Sequence, residues 1–211
     1  DADLHSVDLS DARLAGAVIS SADLFDACLI GADLRYAICH GTILTEADLH
    51  HANLWNVDLT DARAEGAVFS CCRMGNARLV TTDLRRADLA GAWVTAADLT
   101  GAMLAASTLA GSSLARTCLR EADLTGSFAV GVDLRGAILN GATTRAANLS
   151  GANLRGGSLV EVDLSHSDLA GADLSGAQLD GGVLDGVCYD DTTRGPEGFV
   201  PPTFGGLSDH E

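Results

Sequence analysis

The chain contains no lysine, only three prolines, and few aromatic residues, which make up 4% of its 211 residues. The three prolines are Pro196, Pro201 and Pro202, so no proline interrupts backbone pairing in the first 190 residues. No apolar run approaches the roughly 18 residues that a transmembrane helix needs. These absences predict one continuous domain with no membrane partner.

Motifs for catalysis and for cofactor binding are also missing. The sequence has no P-loop, no G-x-G-x-x-G before a helix and no G-x-S-x-G. Its six cysteines and six histidines show no Cys-x-x-Cys or Cys/His spacing that would indicate a metal site. We therefore expect no catalytic residues, no metal ligands and no cofactor, and we expect the protein not to be an enzyme.

A five-residue repeat is the dominant feature of the sequence. Every fifth residue from Leu4 to Tyr189 is apolar or small, through 38 consecutive units, and leucine fills 29 of these slots. The residue two positions earlier is always small or β-branched and is alanine in 23 units. Neither an α-helix nor a flat strand keeps such a pattern on one side. The period fits a chain that turns a corner once per unit, so that both residues of each short edge point into a shared core.

Units such as Ala52-Asn53-Leu54 and Ala122-Asp123-Leu124 carry the A-[D/N]-L-x-x motif. The motif resembles that of the pentapeptide repeat family over residues 2–191. The period alone permits three, four or five sides, whereas the resemblance implies an all-β, right-handed quadrilateral parallel β-helix of about nine coils. It also implies a repeat domain at 1–191 and a capping tail at 192–211. We expect Tyr189, Phe199 and Phe204 to cover the end of the core, and the residues after about 205 to be disordered.

The ends of the chain and its cysteines support three further expectations. The repeat begins at once with Asp1-Ala2-Asp3-Leu4, so we interpret the chain as truncated or as part of a longer polypeptide. An uncapped first coil would expose strand edges and favour an end-to-end homodimer. Cys39 and Cys72 occupy inward slots and the other four cysteines outward ones, which indicates reduced thiols in a cytoplasmic protein.

Counting units in fours assigns each residue to one of four faces. The face that begins at residue 12, here called the arginine face, has six arginines against three aspartates, a net charge of +3. The other three faces carry 22 acidic residues and six arginines, a net charge of −16. The expected protein-contact residues on the arginine face are Arg13, Arg35, Tyr36, Trp55, Arg73, Trp93, Arg116, Arg135 and Arg155.

Two functions are compatible with this surface. The first is a non-catalytic scaffold that binds another protein, with the remaining charge serving only as solvated surface. The alternative comes from the resemblance, because some pentapeptide repeat proteins are acidic rods that mimic DNA and bind DNA gyrase or another type II topoisomerase. Direct binding of nucleic acid is not expected for so acidic a rod. The acidic residues expected to act in mimicry lie on a face without arginine: Asp8, Asp11, Asp48, Asp88 and Asp168.

A few core slots depart from leucine. Ala64 removes volume, and Phe69 and Met74, the next two slots, restore bulk nearby. We expect these larger side chains to compensate for Ala64. Because the array has no insertion, we also expect the surface to have no cleft.

Overall fold

The computed structural model describes residues 2–197, in which the chain winds into a four-sided tube. These residues contain no α-helix, and each five-residue unit contributes one isolated bridge residue rather than a longer strand. The bridges are parallel and join residues twenty positions apart, such as Arg73 and Trp93. Twenty residues, or four units, therefore make one coil. The expected quadrilateral parallel β-helix is confirmed.

Four ladders of bridged residues define the four faces. The arginine face has its ladder from Arg13 to Arg194, and the face without arginine, here called the aspartate face, has its ladder from Asp8 to Cys188. The two remaining ladders run from Asp3 to Val183 and from Val18 to Gln178. Residues twenty apart in the repeat thus lie on one face, as the count in fours predicts.

Backbone hydrogen bonds show why one five-residue unit makes one side of the tube. The Leu104 and Ala106 N–H groups donate to carbonyl oxygens of the next coil, at 2.6 and 2.9 Å. The Ser107 N–H donates across the corner to the Leu104 carbonyl oxygen at 3.1 Å. Ala106, the fifth residue of its unit, has φ of +58°, which makes the corner a type II turn. All fifth positions from 6 to 186 have positive φ, and 17 of them are glycine.

The interior of the tube is filled by the leucine slots. Leu79, Leu84 and Leu89 are fully buried, as is Phe69, the largest buried side chain. A small cavity of about 10 Å³ lies among the leucines of the early coils. Burial of alternating leucine and alanine, repeated in every coil, is therefore the main source of stability.

The last described coil departs from the repeat by one residue, because Arg194 rather than residue 193 bridges Asp173. The chain therefore has one additional residue before Arg194, and the Asp190 side chain stabilises the segment that contains it. Its Oδ1 accepts hydrogen bonds from the Thr192 hydroxyl and the Gly171 N–H, and these lower the pKa of Asp190 to about 2. Tyr189 is partly buried against the core. Phe199, Phe204 and the segment after 205 lie outside the described residues, so their expected roles stay predictions.

The corner geometry predicts opposite effects for two similar substitutions. Ala106→Gly should raise the free energy of unfolding, and Gly111→Ala should lower it, because only glycine adopts positive φ without strain. The expected change in the free energy of unfolding is about 0.5–1 kcal/mol in each direction. It is the energy that alanine loses in the left-handed backbone conformation, reduced by the extra conformational entropy that glycine loses on folding. A Cβ at Gly111 would meet no heavy atom within 4 Å, so steric contact does not interfere.

Chemical denaturation of both variants measures these changes. Ala90→Gly is the matched control, because Ala90 is the fourth residue of its unit and has no positive φ. There, glycine should destabilise by about 0.5–1 kcal/mol. If Ala106→Gly destabilised the protein as much as Ala90→Gly, the argument from corner strain would be wrong.

Candidate protein-contact site on the arginine face

The arginine face presents two parallel columns of side chains. The first is the ladder itself, which passes through Asn53, Arg73 and Trp93 in successive coils. The second column lies two residues further along each unit and contains Trp55 and Gly75 in neighbouring coils. The nine expected contact residues all belong to units of this face. Whether these residues can bind a partner depends on their ion pairs, their exposure and the packing of the aromatic rings.

Internal ion pairs neutralise half of the six arginines. Arg35 donates to Asp33 at 2.6 Å and Arg135 to Asp133 at 2.7 Å, while Arg155 lies 3.6 Å from Asp173. The Arg35 hydrogen bond is also the main cause of a lowered pKa at Asp33. Within residues 2–197, no carboxylate lies within 4.0 Å of the other three guanidinium groups, which belong to Arg13, Arg73 and Arg116. The net charge of +3 on this face is therefore carried by three unpaired arginines in separate coils.

Trp55 lies flat against the face because Gly75 has no side chain. A Cβ atom at Gly75 would lie only 2.2 Å from Cζ3 and 2.6 Å from Cε3 of the Trp55 ring. One side of the ring thus covers the Gly75 backbone, and Gly75 is buried although it is an outward position. Trp55 remains 43% exposed, so its opposite ring face is open to solvent.

Two further aromatic side chains flank Trp55. Tyr36 is 61% exposed and Trp93 is 63% exposed. The Arg73 guanidinium carbon lies 5.8 Å from the centroid of the Trp93 ring, within the range of a cation–π contact. This contact orients the unpaired cation next to an exposed aromatic surface.

These side chains form a groove, and the expectation of a surface without a cleft was wrong. The groove has a volume of about 780 Å³. Its lining residues are Arg35, Tyr36, Asn53, Trp55, Arg73, Gly75, Trp93, Thr95 and Ser113. No insertion is needed, because projecting aromatic rings form the walls and Gly75 leaves the space between them. A second depression of about 440 Å³ shares Asn53, Arg73 and Trp93 and extends toward His51.

The sequence contained one signal for this groove that the repeat analysis missed. Gly75 is the only glycine at the fourth position of a repeat unit, and it follows Trp55 by twenty residues. In a square coil, that separation places the glycine directly beside the tryptophan. A missing side chain next to a large one indicates a ring packed onto the backbone.

The acidic residues expected to act in DNA mimicry are more widely spaced than the side chains of the groove. Asp8, Asp48, Asp88 and Asp168 all lie in the ladder of the aspartate face, and Asp11 lies at one of its corners. Asp8 and Asp48 are two coils apart, or about 9.6 Å, and so are Asp48 and Asp88. Four coils separate Asp88 from Asp168, with the exposed Phe128 in the gap.

Each ladder carboxylate also has a local structural role. Oδ1 of Asp8, for example, accepts a hydrogen bond from the Ser10 N–H at 3.0 Å, and Asp48, Asp88 and Asp168 accept equivalent bonds. Hydrogen bonding to the Ser10 side chain and backbone lowers the pKa of Asp8. The spacing is sparser than the one charge per about 1.7 Å of duplex DNA.

Among the described residues, one histidine forms an ion-pair contact with a carboxylate. His40 Nε2 lies 3.3 Å from Asp61 Oδ2, and the Thr81 hydroxyl donates to the same aspartate. A hydroxyl nucleophile would need a hydrogen bond to the imidazole that removes its proton. Here the hydroxyl instead contacts the carboxylate, and the His40–Asp61 pair is about half exposed. This arrangement has no activated nucleophile.

The cysteines of residues 2–197 are all free thiols. Burial raises the pKa of Cys39 and of Cys72 to about 12, so both remain protonated at neutral pH. The neighbouring Cys71 is exposed, and its side chain points to the opposite side of the wall from Cys72. The described part of the chain has no cluster of three or more His, Cys, Asp or Glu side chains suited to a metal ion. It also has no helix that is both long and apolar enough to cross a membrane.

The family model for pentapeptide repeats matches this chain in eight copies, which cover residues 1–35, 42–79, 82–120, 117–143 and 147–186. The chain is a pentapeptide repeat protein. The right-handed quadrilateral β-helix implied by the resemblance is therefore confirmed as its fold.

Several solved structures resemble this pentapeptide repeat protein. HetL from Nostoc sp. strain PCC 7120, involved in heterocyst differentiation regulation, is 28% identical; the match covers 89% of this chain and 86% of HetL, with a TM-score of 0.48. A pentapeptide repeat protein of the Arabidopsis thaliana thylakoid lumen is 28% identical over 46% of this chain and 68% of its own, with a TM-score of 0.46. QnrB1, a plasmid-mediated fluoroquinolone resistance protein, is 18% identical over 82% of this chain and 85% of its own, with a TM-score of 0.42. No curated protein is significantly similar in sequence.

Proposed function

We propose that this pentapeptide repeat protein is a non-catalytic interaction protein of the cytoplasm that binds another protein through the groove on its arginine face. The observation that carries the proposal is the exposure of both tryptophans of the chain, together with Tyr36, around the unpaired Arg73. Tryptophan, tyrosine and arginine are the residues most enriched at the energetic centres of protein interfaces.

The rigidity of the tube supports a binding role. Trp55 rests on the backbone at Gly75, and its unit is hydrogen-bonded to the coils on both sides. A preorganised surface loses little conformational entropy when a partner binds. The other three faces, with a net charge of −16, would repel acidic molecules and orient the arginine face toward a partner.

Replacement of both groove tryptophans should abolish partner capture. In quantitative affinity purification, the partner is a protein retained by the wild-type bait and lost from a Trp55→Ala/Trp93→Ala bait. Loss of two such anchors should weaken the purified complex at least about 30-fold, equivalent to about 2 kcal/mol. Phe128→Ala is the matched control, because Phe128 is 57% exposed on the aspartate face. A partner that binds all three baits equally would contradict the proposed site.

The acidity of the tube favours a second candidate, mimicry of DNA toward gyrase or a related type II topoisomerase. A supercoiling assay with purified gyrase tests it, and mimicry requires inhibition or quinolone protection that weakens with added salt. Neutralising the mimicry residues of the aspartate face should then reduce inhibition more than replacing the six arginines. End-to-end dimerisation through the first coil, where Leu4, Leu9 and Leu14 are only partly buried, also stays a prediction.

A further inference from the structure

We propose that the groove binds an acidic, proline-containing segment of the partner in the polyproline II conformation, crossing both columns of the arginine face with a glutamate or aspartate over Arg73. This inference rests on the proposed function, since it specifies the chemistry of the partner at the same site. Three properties of the groove support it: the spacing of its tryptophans, the absence of free backbone edges on the face, and its single unpaired cation.

The rungs of the two tryptophans are separated by about the period of a polyproline II helix. Trp55 and Trp93 belong to coils that are two rungs apart on the arginine face, because Asn53 bridges Arg73 and Arg73 bridges Trp93. Two rungs correspond to about 9.6 Å along the axis. Three residues of polyproline II rise about 9.3 Å. Trp55 lies in the second column with its ring over Gly75, whereas Trp93 lies in the ladder. A segment that crosses both columns can therefore place two prolines, three residues apart, on the two rings.

The backbone of the face favours such a segment over an added β-strand. Asn53, Arg73 and Trp93 are each bridged to the coil before and the coil after. Their backbone groups are therefore already paired, and no open strand edge is available here to a partner. Polyproline II segments need no such pairing, since they bind through ring contacts in aromatic-lined grooves and lose little entropy on binding.

The charge of the groove specifies the residue between the two prolines. Arg73 lies on the rung between those of Trp55 and Trp93, and no carboxylate of residues 2–197 lies within 4.0 Å of it. Arg35, the other arginine of the groove, is already paired with Asp33. A single carboxylate between the prolines would thus complete a charge-assisted contact with Arg73. The recognised pattern is Pro-Glu-x-Pro or Pro-x-Glu-Pro, depending on the direction of the segment.

Intrinsic fluorescence tests the proposal directly, because the only two tryptophans of the chain both line the groove. The probe is a blocked peptide, Pro-Pro-Glu-Pro-Pro, which contains both patterns. Titration into the intact protein should give a saturable blue shift of tryptophan emission. A peptide with all prolines replaced by glycine, and one with glutamate replaced by lysine, should each bind at least about tenfold more weakly.

Variants of the protein separate the two parts of the recognition. Arg73→Gln should remove the preference for the glutamate peptide over its glutamine counterpart while the need for proline persists. Gly75→Ala should displace the Trp55 ring and weaken binding; Gly75 does not have positive φ, so the added methyl group strains no backbone angle. Phe128→Ala should bind like the wild type.

Several outcomes would overturn the inference. These are no saturation at millimolar peptide, equal binding of the glycine peptide, or an unchanged glutamate preference in Arg73→Gln. Tighter peptide binding by a Pro201→Gly/Pro202→Gly variant would support recognition of proline segments and identify the chain's own tail as a competitor. If affinity purification yields a partner that depends on Trp55 and Trp93 while no peptide binds, the proposed function stands and only this inference fails.

Discussion

Replacing Phe69 by alanine should lower the free energy of unfolding of the coils around it by about 3–5 kcal/mol. Phe69 is the largest fully buried side chain of the tube. The preceding core slot is Ala64, which is also fully buried and whose methyl group fills little of the core. Removal of the phenyl ring would therefore create one continuous cavity spanning two slots of the same coil. Neighbouring coils cannot close it, because their backbones are held in register by the ladders.

A double-mutant cycle isolates the compensation between these two slots. Ala64→Leu alone should destabilise the protein by overpacking against Phe69, and Phe69→Leu alone should leave a smaller cavity than alanine does. The double variant Ala64→Leu/Phe69→Leu restores the usual leucine at both slots, so it should be more stable than the sum of the two single effects. A coupling free energy of about 1 kcal/mol or more is expected for residues in contact.

Hydrogen exchange is the best measurement for this prediction. Repeat arrays can unfold locally, so one global free energy does not describe a change within one coil. The amide protons of residues 59–79 should exchange faster in Phe69→Ala than in the wild type, with smaller changes beyond residue 150. Strictly additive single effects would show that Phe69 does not compensate for Ala64.

Introducing proline at Thr108 should be similarly disruptive, with an expected cost of about 3 kcal/mol or more. The Thr108 N–H donates to the Ala87 carbonyl oxygen at 3.0 Å, and Thr108 is bridged to Asp88 and Phe128 in the neighbouring coils. Proline has no N–H, and its ring would force the stacked coils apart. The Thr108 side chain points outward, so the loss would come from the backbone rather than from the core.

Ala105→Pro is the matched control, only three residues away. Ala105 is the second residue of a type II turn, the position at which proline is favoured. We expect this variant to be as stable as the wild type or more stable, because proline restricts the unfolded chain. Thermal unfolding monitored by circular dichroism compares the two variants. Equal destabilisation by both would show that the turn assignment is wrong.

The sequence predicted the fold well because each unit repeats the same local solution. One leucine, one small residue and one corner residue per unit are sufficient to fix which side chains point inward. The inward positions of Cys39 and Cys72 followed directly from this register, and both are buried. The four-sided shape depended on the family resemblance, since the period alone also permits other polygons.

The site was only partly predictable, because side-chain contacts between coils do not follow from the register alone. Counting units placed Trp55, Arg73 and Trp93 on one face but did not show that Gly75 lets the Trp55 ring lie flat. It also did not show that Arg35 is paired, although the fork-shaped guanidinium group of Arg35 reaches Asp33 within the same unit. Both outcomes depend on the rotamers chosen by long side chains, which a repeat pattern does not encode.

The twenty-residue period also limits how such a chain can change in length. Loss or gain of a single five-residue unit between Trp55 and Trp93 would leave every corner intact. It would nevertheless rotate all later coils by a quarter turn, so that the two indole rings would sit on adjacent walls. Indels of four whole units preserve the phase. A binding surface built from several coils is therefore preserved only when the chain gains or loses twenty residues, that is, one complete coil.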